Sequence, residues 1–213
     1  MEARLQRQQA MTETRRALVL DAARAVFEEH GLDGASMREI ARRAGYTPGA
    51  LYSYFDSKEA IYGALLAESL ERLNAVVAAA GAGQAGAALL LRLRSRAWFD
   101  FYASHPRELD LGFYLVHGLA PRGLNNELDT HLNRRLADAL APAAEALAML
   151  GFEPAAALRE NTALFAHGLG LLLLQHTGRI RMFGQEPAAL FDSYLDGLLA
   201  RALAAGRRRN HAA

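Results

Sequence analysis

Apolar residues recur at intervals of three and four along nearly the whole chain, while the alternating β-branched runs that strands require are almost absent. The chain is therefore expected to be all-α. Met1 to about Glu13 lacks apolar periodicity and reads as a disordered arm. A first helix follows over Thr14–His30, with Leu18, Ala22, Ala25 and Val26 on one stripe and Gly31 as its stop. Ser36 and Glu39 fit a capping box ahead of Met37, Ile40, Ala41 and Ala44, and Gly45 ends that second helix. Thr47 and Pro48 then open a short helix over Pro48–Phe55. A fourth, Lys58–Ala80, carries Ile61, Leu65, Leu66, Leu70 and Leu73 and is expected to link two domains. Further helices are expected over 87–104, 106–119, 125–150, 154–176 and 187–204, with Pro142 interrupting the third of these. Residues 206–213, which include Arg207, Arg208 and Arg209, read as a disordered tail. The expected domains are thus 14–58 and 81–205, joined by a linking helix over 59–80.

Composition narrows the function. With 213 residues, 52% of them hydrophobic, the chain can bury a sizeable core. A net charge of +1 speaks against a bulk polyanion binder, and the absence of cysteine removes disulfides and thiolate chemistry. No apolar leader opens the sequence, and Ala163–Leu174 is too short to span a bilayer, so a cytoplasmic location is expected. Gly81, Gly83 and Gly86 spell a dinucleotide-binding pattern, but they follow an alanine-rich helix rather than a strand and read as a loop. Glu127, Asp129 and His131 are read as the solvated start of a helix rather than as a metal site. Lacking any hydrolase, zincin, di-iron or phosphate-loop motif, the chain is expected to be no enzyme and to need neither cofactor nor metal.

Residues Ser36 to Tyr54 have the length and punctuation of a helix-turn-helix: a helix, a three-residue turn containing glycine, and a short second helix. Met37, Ile40, Ala41, Ala44, Leu51 and Phe55 form its inner side, while Arg38 and Arg42 point the other way and Glu39 is placed to pair with Arg43. Thr47, Gly49, Ala50 and Tyr52 face outward on the short helix, and its small leading residues allow its backbone to lie against base edges. Over residues 34–58 the charge is +2, offset by acidic residues of the first helix such as Glu28 and Glu29.

The stretch SMREIARRAGYTPGALYSYFDSKE, residues 36–59, closely resembles the DNA-binding signature of TetR-family transcriptional regulators, and Ala22, Ala23 and Phe27 ahead of Gly31 fit the same family. The resemblance covers about residues 14–73. It implies phosphate contacts from Ser36, Tyr52, Tyr54 and Lys58, base readout from Arg38, and mixed contacts from Tyr46, Thr47, Gly49 and Ala50. It also implies a homodimer on a pseudo-palindromic operator in double-stranded DNA, with half-sites ~34 Å apart. The dimer is expected to act as a repressor released by a small, mostly apolar effector; an activator or a co-repressor-dependent regulator would share the architecture. The stripes Phe165, Gly168, Leu169, Leu172 and Leu190, Tyr194, Leu198 are the expected dimer interface. Trp98, Phe101, Tyr102, Phe113, His117 and Phe165 are the expected walls of the effector pocket.

Overall fold

The computed structural model describes residues 1–84, 86–113 and 126–212. Among these are nine α-helices, one 3-10 turn and no strand. In chain order the helices are α1 (Glu2–Gly34), α2 (Met37–Ala44), α3 (Pro48–Tyr52), α4 (Lys58–Ala79), α5 (Ala87–Ser104), α6 (Pro106–Phe113), α7 (Asn126–Met149), α8 (Pro154–His176) and α9 (Pro187–Ala212). The 3-10 turn, Arg179–Phe183, lies between the last two.

Both ends are more helical than their patterning indicates. Helix α1 starts at Glu2, although every side chain from Arg4 to Leu18 is exposed. Its Gln, Arg, Ala, Leu and Glu residues are good helix formers, so propensity rather than packing accounts for this turn-by-turn extension. Helix α9 likewise continues through Ala212, where a disordered tail was expected. The buried stripe of α1 is Val19, Ala22, Ala23, Val26 and Phe27, whereas Leu18 is 51% exposed. The periodicity is the same, turned by one residue. Gly31 breaks the helix internally at φ 69°, ψ 175°, a conformation that only glycine adopts without strain, and the Ala35 N–H returns to the Gly31 carbonyl.

Two compact units result. The first comprises Met1–Ser69 with the described residues between Asp110 and Leu132, and the second comprises Leu70–Leu109 with those from Asn133 onward. The boundary does not follow the expected linear domains; it falls within α4. Helix α4 carries a buried apolar stripe through Ile61, Leu65, Leu66, Leu70, Leu73 and Val77, so it is core material rather than a bare connector.

In the first unit, α1, α2, α3 and the start of α4 enclose Val26, Ile40, Ala41, Leu51, Phe55 and Ile61. The Phe27 and Tyr62 rings meet edge-on at 5.7 Å, and the Tyr62 hydroxyl donates to the Leu111 carbonyl at 2.5 Å. The second unit centres on Phe99, stacked on Phe191 at 4.4 Å, with Trp98, Leu91, Leu147, Leu172, Leu195 and Leu198 around them. Gly168 permits this packing, since a Cβ there would lie 2.7 Å from Trp98 Cζ3 and 3.0 Å from Phe191 Cε2. Helices α5 and α9 are tied by Arg92 to Asp196 and by Arg96, which reaches Asp192 at 3.0 Å as well as its own helix's Asp100 at 2.8 Å.

Candidate nucleic-acid interface

Each feature of the helix-turn-helix has a local cause. The Ser36 hydroxyl caps α2 by accepting from the Glu39 N–H at 3.2 Å. Gly45 terminates α2 at φ 75°, and the Tyr46 N–H returns to the Ala41 carbonyl at 2.8 Å. Thr47 then caps α3 by accepting from the Ala50 N–H at 3.2 Å, with Pro48 at the first helical position. A helix of five residues has no stability of its own. Leu51 and Phe55, 1% and 5% exposed, hold it in place, each burial stabilising by about 1.5–3 kcal/mol. Ser57 Oγ caps α4 by accepting from the Ala60 N–H.

The outer side carries most of the expected set together. Ser36, Arg38, Thr47, Gly49 and Tyr52 are exposed, while Tyr46, Ala50 and Tyr54 are half-buried. The Tyr46 and Tyr54 rings lie 6.5 Å apart. A Cβ built on Gly49 meets nothing within 4 Å, so the fold does not require glycine at that position.

Charge is distributed differently from the expectation. Glu39 pairs with Arg42, not Arg43, through Nε–Oε2 at 3.1 Å and Nη2–Oε1 at 2.6 Å. Three residues along a helix bring these side chains into a two-pronged contact. Arg43 instead reaches across to Glu29 of α1 at 2.6 Å. The hydrogen bonds from Arg42 and Arg43 hold the Glu39 and Glu29 carboxyls, respectively, below the usual carboxylate range. Both pairs therefore contribute stability above that range and lose it as the pH falls and the carboxylates protonate. Replacing Glu29 with Gln should reduce the acid dependence of the melting midpoint below about pH 5, a shift measurable by calorimetry across pH. Arg38 makes no hydrogen bond or ion pair among the described residues, which leaves it the free cation of α2.

Lys58 also has partners within the chain that its expected role does not indicate. Its Nζ donates to the carbonyls of Leu32, Asp33 and Ala35 at 2.8, 3.1 and 3.1 Å. These contacts hold the ammonium where the chain passes from α1 into α2. The planar guanidinium fork cannot converge on three carbonyls in this way, which accounts for the chain's single lysine at this position among 23 arginines. That compositional oddity was the one signal in the sequence. Sequence reasoning also missed Arg16, whose guanidinium lies 4.3 Å from the centre of the Phe55 ring.

The two sets expected in the C-terminal region are dispersed. Trp98 contacts Tyr102 at 5.5 Å and Phe165 at 5.3 Å, and Phe101 meets Tyr102 at 5.2 Å. Phe113 falls in the first unit, and His117 lies outside the described residues. Tyr102 is fully buried, and desolvation, followed by the Glu108 carboxylate, raises its phenol above the ordinary value. Of the residues expected at a dimer interface, Leu172 and Leu198 are fully buried and Gly168 is covered by Trp98 and Phe191. Their surface is spent within the chain. Phe165, Leu169, Leu190 and Tyr194 are half-buried, and the Tyr194 ring stacks on His167 at 4.4 Å. Among the described residues there is no group of three His, Cys, Asp or Glu side chains able to hold a metal, and no helix long and apolar enough to cross a membrane.

A capped helix, a glycine turn and a second short helix with a polar outer side define a helix-turn-helix protein. The family description "Bacterial regulatory proteins, tetR family" matches residues 19–65, so this segment is similar to the helix-turn-helix part of that family. The HTH-type transcriptional repressor Rv1474c of Mycobacterium tuberculosis is 39% identical over 67 residues, covering 32% of this chain and 36% of that protein. The HTH-type transcriptional regulator UidR of Escherichia coli is 42% identical over 57 residues, covering 27% and 29%. The chain thus matches about a third of the length of these relatives. The crystal structure of SCO4313 is similar over 90% of this chain and 98% of its own, with a TM-score of 0.75 at 20% identity, a likeness of fold.

Proposed function

We propose that this chain is a DNA-binding transcriptional regulator: a cytoplasmic homodimeric repressor that holds a pseudo-palindromic operator and releases it when a small, mostly apolar ligand occupies the second unit. The observation that carries the DNA-binding reading is the outer side of α2 and α3. There Arg38, with no acidic partner among the described residues, stands with exposed Ser36, Thr47, Gly49 and Tyr52 above a packed inner side. Arginine is the usual partner of guanine O6 and N7, and the hydroxyls and capped helix starts suit phosphate oxygens. Tyr46, Ala50 and Tyr54 complete the contact surface in this reading, and Lys58 acts behind it by fixing the α1–α2 junction.

Dimerisation is supported by apolar surface that the chain leaves uncovered on α8. Leu158 is 62% exposed, Ala166 is exposed, and the space beside Gly170 is open. Ala166 and Gly170 line a shallow groove with the half-buried Leu173 and Leu174, and a second copy of α8 can fill it. Two motifs so joined would read half-sites ~34 Å apart. Release by an effector demands a differential affinity of about 5.5 kcal/mol between DNA-competent and incompetent states for a switch from ~99% to ~1%. This reading assigns the chain no catalytic step.

The test is selection of bound duplexes from random DNA by the intact chain at fixed salt. An enriched, two-fold-related sequence is the expected result. Arg38→Ala should erase preference at one base pair in each half-site and weaken binding by about 10–100-fold. Absence of any enriched sequence would overturn the reading.

A further inference from the structure

A small cavity lies inside the second unit, where α5, α7, α8 and α9 meet. Its α5 wall is Arg94, Ser95 and Trp98, which the spacing i, i+1, i+4 places on one face of the helix. The buried atoms Arg94 Nε, Ser95 Oγ and Trp98 Nε1 have no hydrogen-bond partner. Ser95 and Trp98 are only 5% and 4% exposed, so bulk water does not compensate them. The two nitrogens are obligatory donors, and the hydroxyl can donate as well. The opposing walls are almost wholly apolar, with Leu164, Phe165 and Phe191 among them. Their one amide, Asn161, spends its Nδ2 on the Leu140 carbonyl at 3.1 Å.

The charge on Arg94 separates this cavity from an ordinary water site. Helix α5 carries two neighbouring arginines, and both are matched: Arg92 by Asp196, and Arg96 by Asp100 and Asp192. Arg94, itself half-buried, has no acidic partner among the described residues, and its Nε is buried without a hydrogen-bond partner beside this cavity. A guanidinium in that setting favours an anion that brings both acceptor atoms and compensating charge.

We propose that this cavity is the seat of a carboxylate head group on an otherwise apolar small molecule, received by Arg94, Ser95 and Trp98. The inference rests on reading the second unit as the ligand-binding part of the regulator and adds the ligand's chemical class. The open space is about that of one water molecule, so the carboxylate marks its seat there and both head and body enter by parting the apolar walls. The α7 wall is suited to yield. Ala139, Leu140 and Ala143 flank Pro142, whose missing N–H removes one rung of the helix ladder at this point.

The experiment compares hexanoate, 1-hexanol and hexylamine by thermal shift and titration calorimetry on the intact chain and on Arg94→Gln and Trp98→Phe. Hexanoate should raise the melting midpoint in a saturable way and bind at least ten-fold more tightly than either isosteric probe. Arg94→Gln should cost hexanoate at least ten-fold and hexanol by a much smaller factor. Trp98→Phe, which keeps the ring and loses the N–H, should cost it a smaller factor. Equal binding of the three probes, or hexanoate binding insensitive to Arg94→Gln, would overturn the proposal in favour of a cavity that holds only water. Operator affinity measured alongside keeps the two readings apart. Hexanoate that binds through Arg94 without weakening operator binding upholds the carboxylate seat and sinks effector release; operator binding without any carboxylate effect does the reverse.

Discussion

Gly49→Glu is expected to lower affinity for the selected operator by at least ~100-fold, about 2.7 kcal/mol, while the melting midpoint of the free protein stays level or rises slightly. The two outcomes separate because the fold has no use for a glycine there. Its backbone is helical, and the space where a side chain would stand is empty. A non-glycine residue inside a helix gains about 0.5–1 kcal/mol. A carboxylate in the first turn adds about 0.3–1 kcal/mol through the helix dipole. On the outer side, the same carboxylate faces phosphate oxygens and blocks the approach of α3 to the bases. Anisotropy titration of a labelled duplex, with calorimetry of the unliganded protein, reads both effects. Unchanged operator affinity would show that α3 does not face the groove.

Lys58→Met should have the opposite signature, with stability falling first and DNA binding failing as a result. The substitution keeps the length of the side chain and removes three charge-assisted hydrogen bonds that gather the carbonyls of Leu32, Asp33 and Ala35. A hydrogen bond to a charged group contributes about 1.5–3 kcal/mol, but the freed carbonyls can recruit water, so a net loss of about 2–4 kcal/mol is expected. Lys58→Arg should recover only part of it, because its donors lie in one plane. Denaturant unfolding followed in the first unit measures the loss. A variant of wild-type stability whose operator affinity is nevertheless weakened would restore Lys58 to the phosphate contacts implied by the family resemblance.

These two residues show what a sequence discloses and what it withholds. The helix-turn-helix was legible because each boundary has a local chemical cause within three or four residues: Ser36 and Glu39, Gly45, Thr47 and Pro48. The inner face was legible from spacing alone, and Ile40, Ala41, Leu51 and Phe55 are all buried. The long-range partners were not. Nothing within three or four residues of Arg43 points to Glu29, and nothing near Lys58 points to carbonyls 23 to 26 positions earlier. The apolar stripes of α8 and α9 failed for a related reason. Period identifies a buried face but not the partner that buries it, so Gly168, Leu172 and Leu198 read as surface for a second copy when they are core of their own chain. The polar wall of the cavity went unnoticed because Arg94 and Ser95 resemble solvated helix residues until the apolar walls close over them.

The engagement of Lys58 also supplies a chemical clock. Opening of the α1–α2 junction frees Nζ from its three carbonyls, so acylation of this half-buried side chain should quicken when the junction opens. The rate at which Nζ is acylated, followed by mass spectrometry of one peptide, therefore tracks openings of that junction. Because the chain has no other lysine, every acylated side-chain amine reports the same site. Operator DNA that clamps α2 and α3 should slow the clock, and denaturant well below the global transition should quicken it.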